Sequence, residues 1–404
     1  MANITGRRKG KRTATKRRPA AKSAVRRTGR AGAAAPTPWQ AFAAMSRDVV
    51  STAGGRASKS FRTRAVEGAR KRPPVAGTRS PDKATAQARK LGQAQAQWVI
   101  ARRTEAGARR AKAVAKAKRS PGRRPAAKAV ARAQSKSAVA ATAKAATAKP
   151  GPGTRGVLVA EGDSWFDYPF HDVLKELEDG HGWDVEHVAH RGDAVESMAY
   201  DGHQLDDFVR AIERVARRGE TPHAILLSGG GNDVAGEVFA MLVNHRSSPV
   251  FGLNAAIVDG LLDTRIRVAY TTILQAVTTA CETLLGSRVP ILLHGYDHPV
   301  PDGRGFLGGW GFLPGPWLEP GFREKGYEDL GERIAIARHL IDRFYGMLNA
   351  VVADPAFAHV RVVDLRGQLS TELAGNRYKD WWGNELHPTR PGFERVAGMF
   401  DAML

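Results

Sequence analysis

The chain is 404 residues long and carries a formal net charge of +22, which is divided unevenly along it. Residues 1–150 hold 39 Lys and Arg against four acidic residues, a net of +35, whereas residues 151–404 hold 23 basic and 36 acidic residues, a net of −13. The one cysteine, Cys281, excludes an intrachain disulfide and a zinc site built on several thiolates.

The first 150 residues are predicted to be a basic, low-complexity tail that is disordered or partly helical. They consist mainly of Ala, Lys, Arg, Ser, Thr, Gly and Pro, so they bury too little apolar surface to offset the entropy lost on folding. Two segments favour some helix. Residues 84–118 are Ala-rich, and residues 37–50 carry apolar side chains near helical spacing at Trp39, Phe42, Met45 and Val49.

The charge of this tail favours binding to polyanions, either nucleic acid or an anionic surface. The tail has no helix-turn-helix, zinc-finger or aromatic RNA-binding signature. We therefore expect any binding by residues 1–150 to be non-specific, driven by phosphate contacts and sensitive to salt. The alternative is a solvated linker without a partner.

Neither a secretory leader nor a membrane span is expected. Residues 1–18 have no apolar segment after their charges, and no later run approaches about 18 consecutive apolar residues. Together with the lone cysteine, which suits a reducing compartment, these features predict a soluble, cytoplasmic protein.

From residue 156 onward, apolar runs alternate with amphipathic segments. We predict strands at residues 156–160, 184–189, 223–229, 289–295 and 359–365, and helices at about 170–179, 203–217, 266–285, 328–352 and 391–403. This alternation favours an α/β domain over residues 151–404, with helices on both faces of a five-stranded parallel sheet.

Polar or glycine-rich stretches follow the first four predicted strands: "EGDSW", "HRGD", "GGGND" and "YDHP". A further one, "WWGNELHPTRPGF", precedes the last helix. Because open parallel sheets bind ligands beyond the carboxyl ends of their strands, these stretches predict a functional site at that edge.

Catalysis by a serine needs a base for its proton and donors for the oxyanion that forms on attack. With Ser164 in "GDSW", Gly192 in "HRGDAV", Asn232 in "GGGND" and His387 in "NELHP", the sequence resembles the SGNH hydrolases, also called GDSL esterases and lipases. The resemblance spans about residues 156–404. It implies a flavodoxin-like three-layer α/β/α fold and hydrolysis of carboxylic esters without a metal or other cofactor.

The resemblance also implies a role for each of these residues. Ser164 would be the nucleophile, and His387 would be the general base and then the acid for the leaving alcohol. The oxyanion hole would consist of the backbone N–H groups of Ser164 and Gly192 together with the side chain of Asn232.

One residue departs from the family pattern. Three positions before the histidine, SGNH hydrolases usually have an Asp that orients the imidazole, whereas this sequence has Asn384. Three arrangements are open: Asn384 or its backbone carbonyl orients His387, the carboxylate of Glu385 or Asp364 substitutes, or Ser164 and His387 act as a dyad. Because Asn in place of the buried Asp lowered the turnover of a serine protease by about 10⁴-fold, slow or specialised catalysis is one outcome of this change.

A long Gly- and Pro-rich segment between the fourth strand and the next helix carries many aromatic residues, which suits either a substrate lid or packing over the sheet edge. Its apolar character favours a small-molecule or lipid-like ester with an acyl or aryl group. We expect the substrate pocket to include Asp163, Trp165, Tyr296, Trp310 and Trp317.

Other interpretations compete with an active esterase. His294, Asp297 and His298 are conceivable metal ligands, but a place at the pocket rim or in the core is preferred for them, and we predict no metal. A second function is a nucleic-acid- or polyanion-binding protein whose hydrolase domain is degenerate. A third is a hydrolase that the basic tail docks to a polymer particle.

Overall fold

Five parallel strands form the central sheet. The computed structural model describes residues 81–119, 153–309 and 313–404. The sheet strands are β1, Val157–Glu161; β2, Asp184–His187; β3, Ala224–Leu227; β6, Ile291–His294; and β7, Val360–Val363. Their order across the sheet is β2-β1-β3-β6-β7, and every neighbouring pair is parallel. The predicted α/β fold with its five parallel strands is confirmed, each strand lying within two residues of its predicted bounds.

The five helices predicted between residues 151 and 404 are all present. The α-helices are α1, Pro81–Arg119; α2, Val173–His181; α3, Val195–Tyr200; α4, Gly202–Arg217; α5, Gly231–Val234; α6, Ala255–Asp259; α7, Arg267–Leu285; α8, Glu319–Glu324; α9, Leu330–Val352; and α10, Arg390–Asp401. The five helices predicted in the domain correspond to α2, α4, α7, α9 and α10. The short helices α3, α5, α6 and α8 were not predicted.

Shorter elements lie mainly in the connections. A π-helical turn, Gly260–Ile266, joins α6 to α7, and 3₁₀ turns span Gly236–Leu242, Phe306–Gly308, Pro355–Phe357 and Ala374–Asp380. A two-stranded antiparallel hairpin, β4 at Val243–Asn244 and β5 at Gly252–Leu253, lies in the segment after α5. These elements depend on tertiary contacts and carry little periodicity that a sequence could reveal.

The sheet is covered on both faces. Helices α2 and α10 contact each other, while α7 contacts both α4 and α9. Every residue of β1, β3 and β6 is buried, because these three strands lie between two neighbouring strands and between two helix layers. The outer strands β2 and β7 are partly exposed.

Helix α1 adds a further layer outside α7 and α4. It corresponds to the Ala-rich segment predicted as helix, and one of its faces consists of small or medium side chains that are buried: Ala88, Gly92, Ala96 and Val99. At Gly92 the two helices are so close that an added Cβ would lie 2.2 Å from the carbonyl oxygen of Thr272. The contact between α1 and α7 therefore requires glycine at this position.

Arginines of α1 also bind carboxylates of the domain. The pairs are Arg89 with Asp354, Arg102 with Asp206, and Arg103 with Glu213. Each of these partly exposed ion pairs contributes at most about 1 kcal/mol, so they fix the register of α1 more than they stabilise it. Three of the positive charges of the basic region are thus paired with carboxylates of the domain.

The Gly92→Ala substitution is expected to displace α1 from the domain, because the new methyl group would overlap the backbone of α7. Overpacking of this kind typically destabilises by about 1–3 kcal/mol. Urea unfolding of the full chain and trypsin cleavage within α1, which is rich in arginine, measure the effect.

Gly107→Ala is the matched control for Gly92→Ala. Gly107 lies in the same helix, and no atom lies within 4 Å of a Cβ added there. Because alanine is favoured over glycine in a helix by about 1 kcal/mol, this variant should be equally or more resistant to urea and trypsin. Equal behaviour of the two variants would contradict the close contact of α1 with α7.

The region 1–80, including the predicted helical segment at 37–50, lies outside the described residues, as do residues 120–152. The division of the chain near residue 150 stays a prediction. Among residues 81–119, 153–309 and 313–404, no helix combines the length and apolarity that a bilayer crossing requires.

Candidate active site

Ser164 lies in a tight turn directly after β1. The backbone N–H groups of Phe166 and Asp167 both donate to the carbonyl oxygen of Asp163 at 3.0 Å. The turn brings Oγ of Ser164 to 2.7 Å from Nε2 of His387. The two residues predicted as nucleophile and base are therefore in hydrogen-bond contact although 223 positions separate them.

Asn384 is the hydrogen-bond partner of His387 on the side away from Ser164. Oδ1 of Asn384 accepts hydrogen bonds from the backbone N–H groups of Leu386 and His387, each at 2.9 Å, and lies 3.1 Å from Nδ1 of His387. Because this oxygen can only accept, Nδ1 carries the imidazole proton and Nε2 offers its lone pair to the Ser164 hydroxyl. Burial lowers the pKa of His387 to about 3, so the imidazole is neutral near pH 7.

Two aromatic rings flank the imidazole. Tyr168 is stacked on it, with ring centroids 4.1 Å apart and planes 17° apart, and Trp317 meets it edge-on at 5.6 Å. The hydroxyl of Tyr168 accepts a hydrogen bond from Nδ2 of Asn384 at 2.9 Å. Sequence reasoning missed Tyr168, since no motif marks it and it is 216 positions from Asn384.

Donors suited to an oxyanion lie in the loops beside Ser164. The backbone N–H groups of Ser164 and Gly192 donate to no group among the described residues. Gly192 has a φ of 90°, a conformation that favours glycine. Asn232, at the start of α5, uses Nδ2 to donate to the carbonyl oxygen of Asp193 at 2.9 Å, which leaves the second amide hydrogen without a partner in the described part of the chain.

The loop that carries Gly192 is fixed to the Ser164 turn. The backbone N–H of His190 donates to the carbonyl oxygen of Gly162 at 2.8 Å. Arg191 binds the Asp167 carboxylate through its guanidinium and its backbone N–H, at 3.1 to 3.2 Å. These contacts join the "HRGD" loop to the "GDSW" turn. Asn232, in "GGGND", bonds to the same loop through the carbonyl of Asp193.

A buried polar network lies beneath Ser164. Ser228 donates from Oγ to the Asp163 carboxylate at 2.8 Å and lies 2.9 Å from Nε2 of His294, while the Tyr296 hydroxyl donates to the other carboxylate oxygen. Burial lowers the pKa of His294 to about 3 and raises the pKa of Asp163. The network joins the ends of β1, β3 and β6, so the polar atoms of Asp163 and Tyr296 support the site from below. Ser228 was not singled out from the sequence.

The two carboxylates considered as substitutes for the family Asp have other partners. Both oxygens of Glu385 are bonded to backbone N–H groups, those of Gly303, Trp317, Leu318 and Glu319, at 2.7 to 3.0 Å. Asp364 forms an ion pair with Arg366 at 2.7 Å and lies largely exposed. Of the three open arrangements, the geometry matches the one in which Asn384 orients His387.

The predicted tryptophans occupy different places. Trp165 is buried and donates from Nε1 to the carbonyl oxygen of Leu386 at 2.9 Å, whereas Trp317 faces His387. Trp310 lies outside the described residues. Phe306, together with Phe322 and Tyr327 further along the same segment, is buried in the domain, so packing over the sheet edge explains these three aromatics.

A narrow cavity of about 60 Å³ opens beside Ser164 and His387. Its lining includes the polar residues Asp163, Asn232 and Asp297 besides Ser164 and His387. Most of the remaining lining is apolar and comes from α9, from the end of α5 with the segment that follows, and from the residue before α8: Val234, Ala235, Phe239, Leu318, Ala337, Leu340, Ile341 and Phe344. These walls can hold an uncharged apolar group directly next to the serine.

The three conceivable metal ligands have partners within the protein. His294 belongs to the network beneath Ser164, and Asp297 accepts backbone hydrogen bonds from His298, Gly367 and Leu369. Within the described residues, no group of three or more His, Cys, Asp or Glu side chains is placed to hold a metal ion.

Comparisons with known proteins give matches at the level of structure. No protein-family model and no curated protein matches the chain. Solved structures that match include an acetylxylan esterase from Geobacillus stearothermophilus, with 14% identity, 61% of this chain and 93% of that one covered, and a TM-score of 0.34. They also include a protein assigned as a GDSL-like lipase from Parabacteroides merdae, with 14% identity, 62% and 95% covered, and a TM-score of 0.31.

A third match is a protein assigned as an SGNH hydrolase from Slackia heliotrinireducens, with 11% identity, 61% and 97% covered, and a TM-score of 0.33. The last two carry the name of the family whose motifs this sequence resembles. Identity and structural overlap are low in all three.

Proposed function

We propose that this chain is a serine ester hydrolase of the SGNH type, in which Ser164 attacks the carbonyl carbon of a carboxylic ester. The observation that carries the proposal is the 2.7 Å contact between Oγ of Ser164 and the proton-accepting Nε2 of His387. Unpaired backbone N–H groups and a free amide hydrogen in the adjoining loops support it, since the negative charge that develops on the carbonyl oxygen needs such donors.

The proposed reaction has two halves. In the first, the Ser164 proton passes to Nε2 of His387 while Oγ bonds to the carbonyl carbon, and the resulting oxyanion is held by the N–H groups of Ser164 and Gly192 and by Asn232. The C=O bond then re-forms, the ester C–O bond breaks, and the leaving alkoxide takes the proton from Nε2. In the second half, water repeats these steps on the acyl-enzyme and releases the acid.

The experiment that tests this function measures hydrolysis of p-nitrophenyl acetate, butyrate and hexanoate by the full chain, and labelling by an alkyl fluorophosphonate. We expect turnover with at least one ester, and a covalent adduct that mass spectrometry locates on Ser164. Absence of both turnover and adduct would rule out the proposed function. An adduct on another serine would rule out the assigned site.

We assign the apolar cavity to the acyl group of the ester. The two carboxylates in its lining, Asp163 and Asp297, are bonded to groups of the protein itself. Most of the other walls are apolar, and apolar surface removed from water favours binding by about 25 cal/mol per Å². This supports an ester with an alkyl or aryl acyl group, as the aromatic segment of the sequence suggests.

Filling the cavity should change the preference for acyl chain length. Ala337 on α9 lines the cavity, so Ala337→Phe is expected to lower the ratio of kcat/KM for hexanoate over acetate by about tenfold or more, in line with the discrimination that one or two methylenes allow. The control is Ala335→Phe, on the exposed side of the same helix. An unchanged ratio in Ala337→Phe would place the acyl group elsewhere.

Polyanion binding by the basic region stays a separate prediction. On α1, Lys83, Lys90 and Lys112 are exposed, whereas Arg89, Arg102 and Arg103 are paired with the domain. The exposed cations could meet phosphate groups without disturbing the contacts that dock α1. This role does not depend on whether the site at Ser164 is active.

A further inference from the structure

We propose that Tyr168 is a positioning residue that, together with Asn384, replaces the carboxylate expected beside His387. Its hydroxyl holds the amide of Asn384, and its ring face stabilises the imidazolium that forms when His387 takes the serine proton. The inference rests on the proposed function and assigns a task to a residue outside the four motifs.

The need for such a residue follows from the charge of His387. When Nε2 accepts the Ser164 proton, a buried imidazole becomes a cation, and burial disfavours that form. An aspartate beside Nδ1 would supply the opposite charge, but the amide of Asn384 is neutral. The nearest carboxylate in the sequence, Glu385, is bonded through both oxygens to the backbone of residues 303–319. Among the described residues, no carboxylate forms a hydrogen bond or an ion pair with the imidazole, whose polar partners are Ser164 and Asn384.

The ring of Tyr168 is placed to meet this need. It lies 4.1 Å from the imidazole ring and nearly parallel to it, so the negative face of its π-system is turned to the site of the cation. Cation–π contacts contribute about 0.5–2 kcal/mol or more, increasing as water is excluded, and Tyr168 is itself half-buried. Phe306 and Phe393 contact the Tyr168 ring and hold it in this position.

The hydroxyl of Tyr168 has a second effect. An asparagine amide has an accepting end and a donating end, and only the accepting end keeps the proton on Nδ1 of His387. In the structure the donating end of Asn384 is bonded to the Tyr168 hydroxyl at 2.9 Å, while Oδ1 faces His387. One tyrosine thus acts on the imidazole directly through its ring and indirectly through the amide.

A double-mutant cycle tests the proposal with the full chain and p-nitrophenyl butyrate. Tyr168→Leu removes both the ring and the hydroxyl, and Tyr168→Phe keeps the ring alone. We expect Tyr168→Leu to lower kcat about 30-fold with KM changed less than about threefold, and Tyr168→Phe to lower kcat only about threefold.

The same substitutions in an Asn384→Asp background separate this role from a packing role. An aspartate would stabilise the imidazolium by its charge, and its two equivalent oxygens need no partner to orient them. Tyr168→Leu should then lower kcat less than about fivefold. An equal loss in both backgrounds, or Phe as damaging as Leu, would overturn the proposal.

A measurement that does not depend on turnover distinguishes the proposed role from a general loss of packing in a variant. In the phosphonate adduct of Ser164, the His387 pKa followed by NMR should fall by about one unit in Tyr168→Leu and stay within a few tenths of a unit in Tyr168→Phe. If the pKa of His387 in the adduct is the same in Tyr168→Leu as in the wild type, only this inference is overturned. Wild-type protein that forms no adduct and hydrolyses no ester would overturn the proposed function as well.

Discussion

Ser164→Ala is expected to abolish ester hydrolysis, with kcat lower by at least about 10⁴-fold. The substitution removes the atom that we propose forms the acyl-enzyme, and loss of the nucleophile in a serine protease lowered turnover by about 10⁶-fold. The loss should fall on kcat rather than on substrate binding, because the apolar cavity and the oxyanion donors remain. Stopped assays with p-nitrophenyl butyrate over several hours give the sensitivity that such a residual rate requires.

Ser287→Ala is the control for this variant. Ser287 is exposed in the turn between α7 and β6, at the end of the sheet opposite the site. The kcat and the melting temperature of Ser287→Ala should equal those of the wild type. The melting temperature of Ser164→Ala should differ from the wild-type value by no more than a few degrees. Activity above about 1% of wild type in Ser164→Ala would show that another group is the nucleophile.

Asn232→Ala is expected to lower kcat by about 10²–10³-fold, the usual effect of removing one oxyanion donor. The amide donates one hydrogen to the Asp193 carbonyl, and we propose that the other binds the reacting oxygen. Because this hydrogen bond strengthens as charge develops, KM should change much less than kcat. The measurement is a steady-state comparison of the two constants with p-nitrophenyl butyrate.

Asn254→Ala is a matched control for Asn232→Ala. The side chain of Asn254 caps α6 by accepting from the N–H of Ile257 and donates to Asn244. Its loss should lower the free energy of unfolding by about 1 kcal/mol and leave kcat unchanged. A kcat for Asn232→Ala within about threefold of the wild type would contradict its place in the oxyanion hole.

Most of the fold could be predicted because it depends on patterns that lie along the chain. The runs at residues 157–160 and 224–227 are continuous and apolar, which is typical of strands buried on both faces. The "GDSW" and "GGGND" stretches follow the carboxyl ends of these strands. Locating the strands therefore also predicted the edge of the sheet at which the candidate site lies. Contact between Ser164 and His387 was predicted through the family resemblance and not from spacing.

The supporting residues could not be predicted, because each depends on a partner far away in the sequence. Tyr168 is hydrogen-bonded to Asn384, and Ser228 is hydrogen-bonded to Asp163 and His294. No feature of the neighbouring sequence distinguishes Tyr168 or Ser228 from ordinary turn residues. The docking of α1 was missed for a similar reason. Because the whole segment is rich in alanine, the sequence does not distinguish the face of α1 that packs from the faces that do not. The need for a small residue at Gly92 is visible only from its contact with the α7 backbone at Thr272.

Glu385 and Asn384 are neighbours in the chain, but they contact different parts of the site. The carboxylate of Glu385 accepts four hydrogen bonds from the backbone of Gly303 and of residues 317–319, whereas Oδ1 of Asn384 lies 3.1 Å from Nδ1 of His387. Two consecutive residues therefore join the backbone that carries Trp317 to the stretch that carries His387. The two rings that meet edge-on beside Ser164 are thus held in place through a single peptide bond.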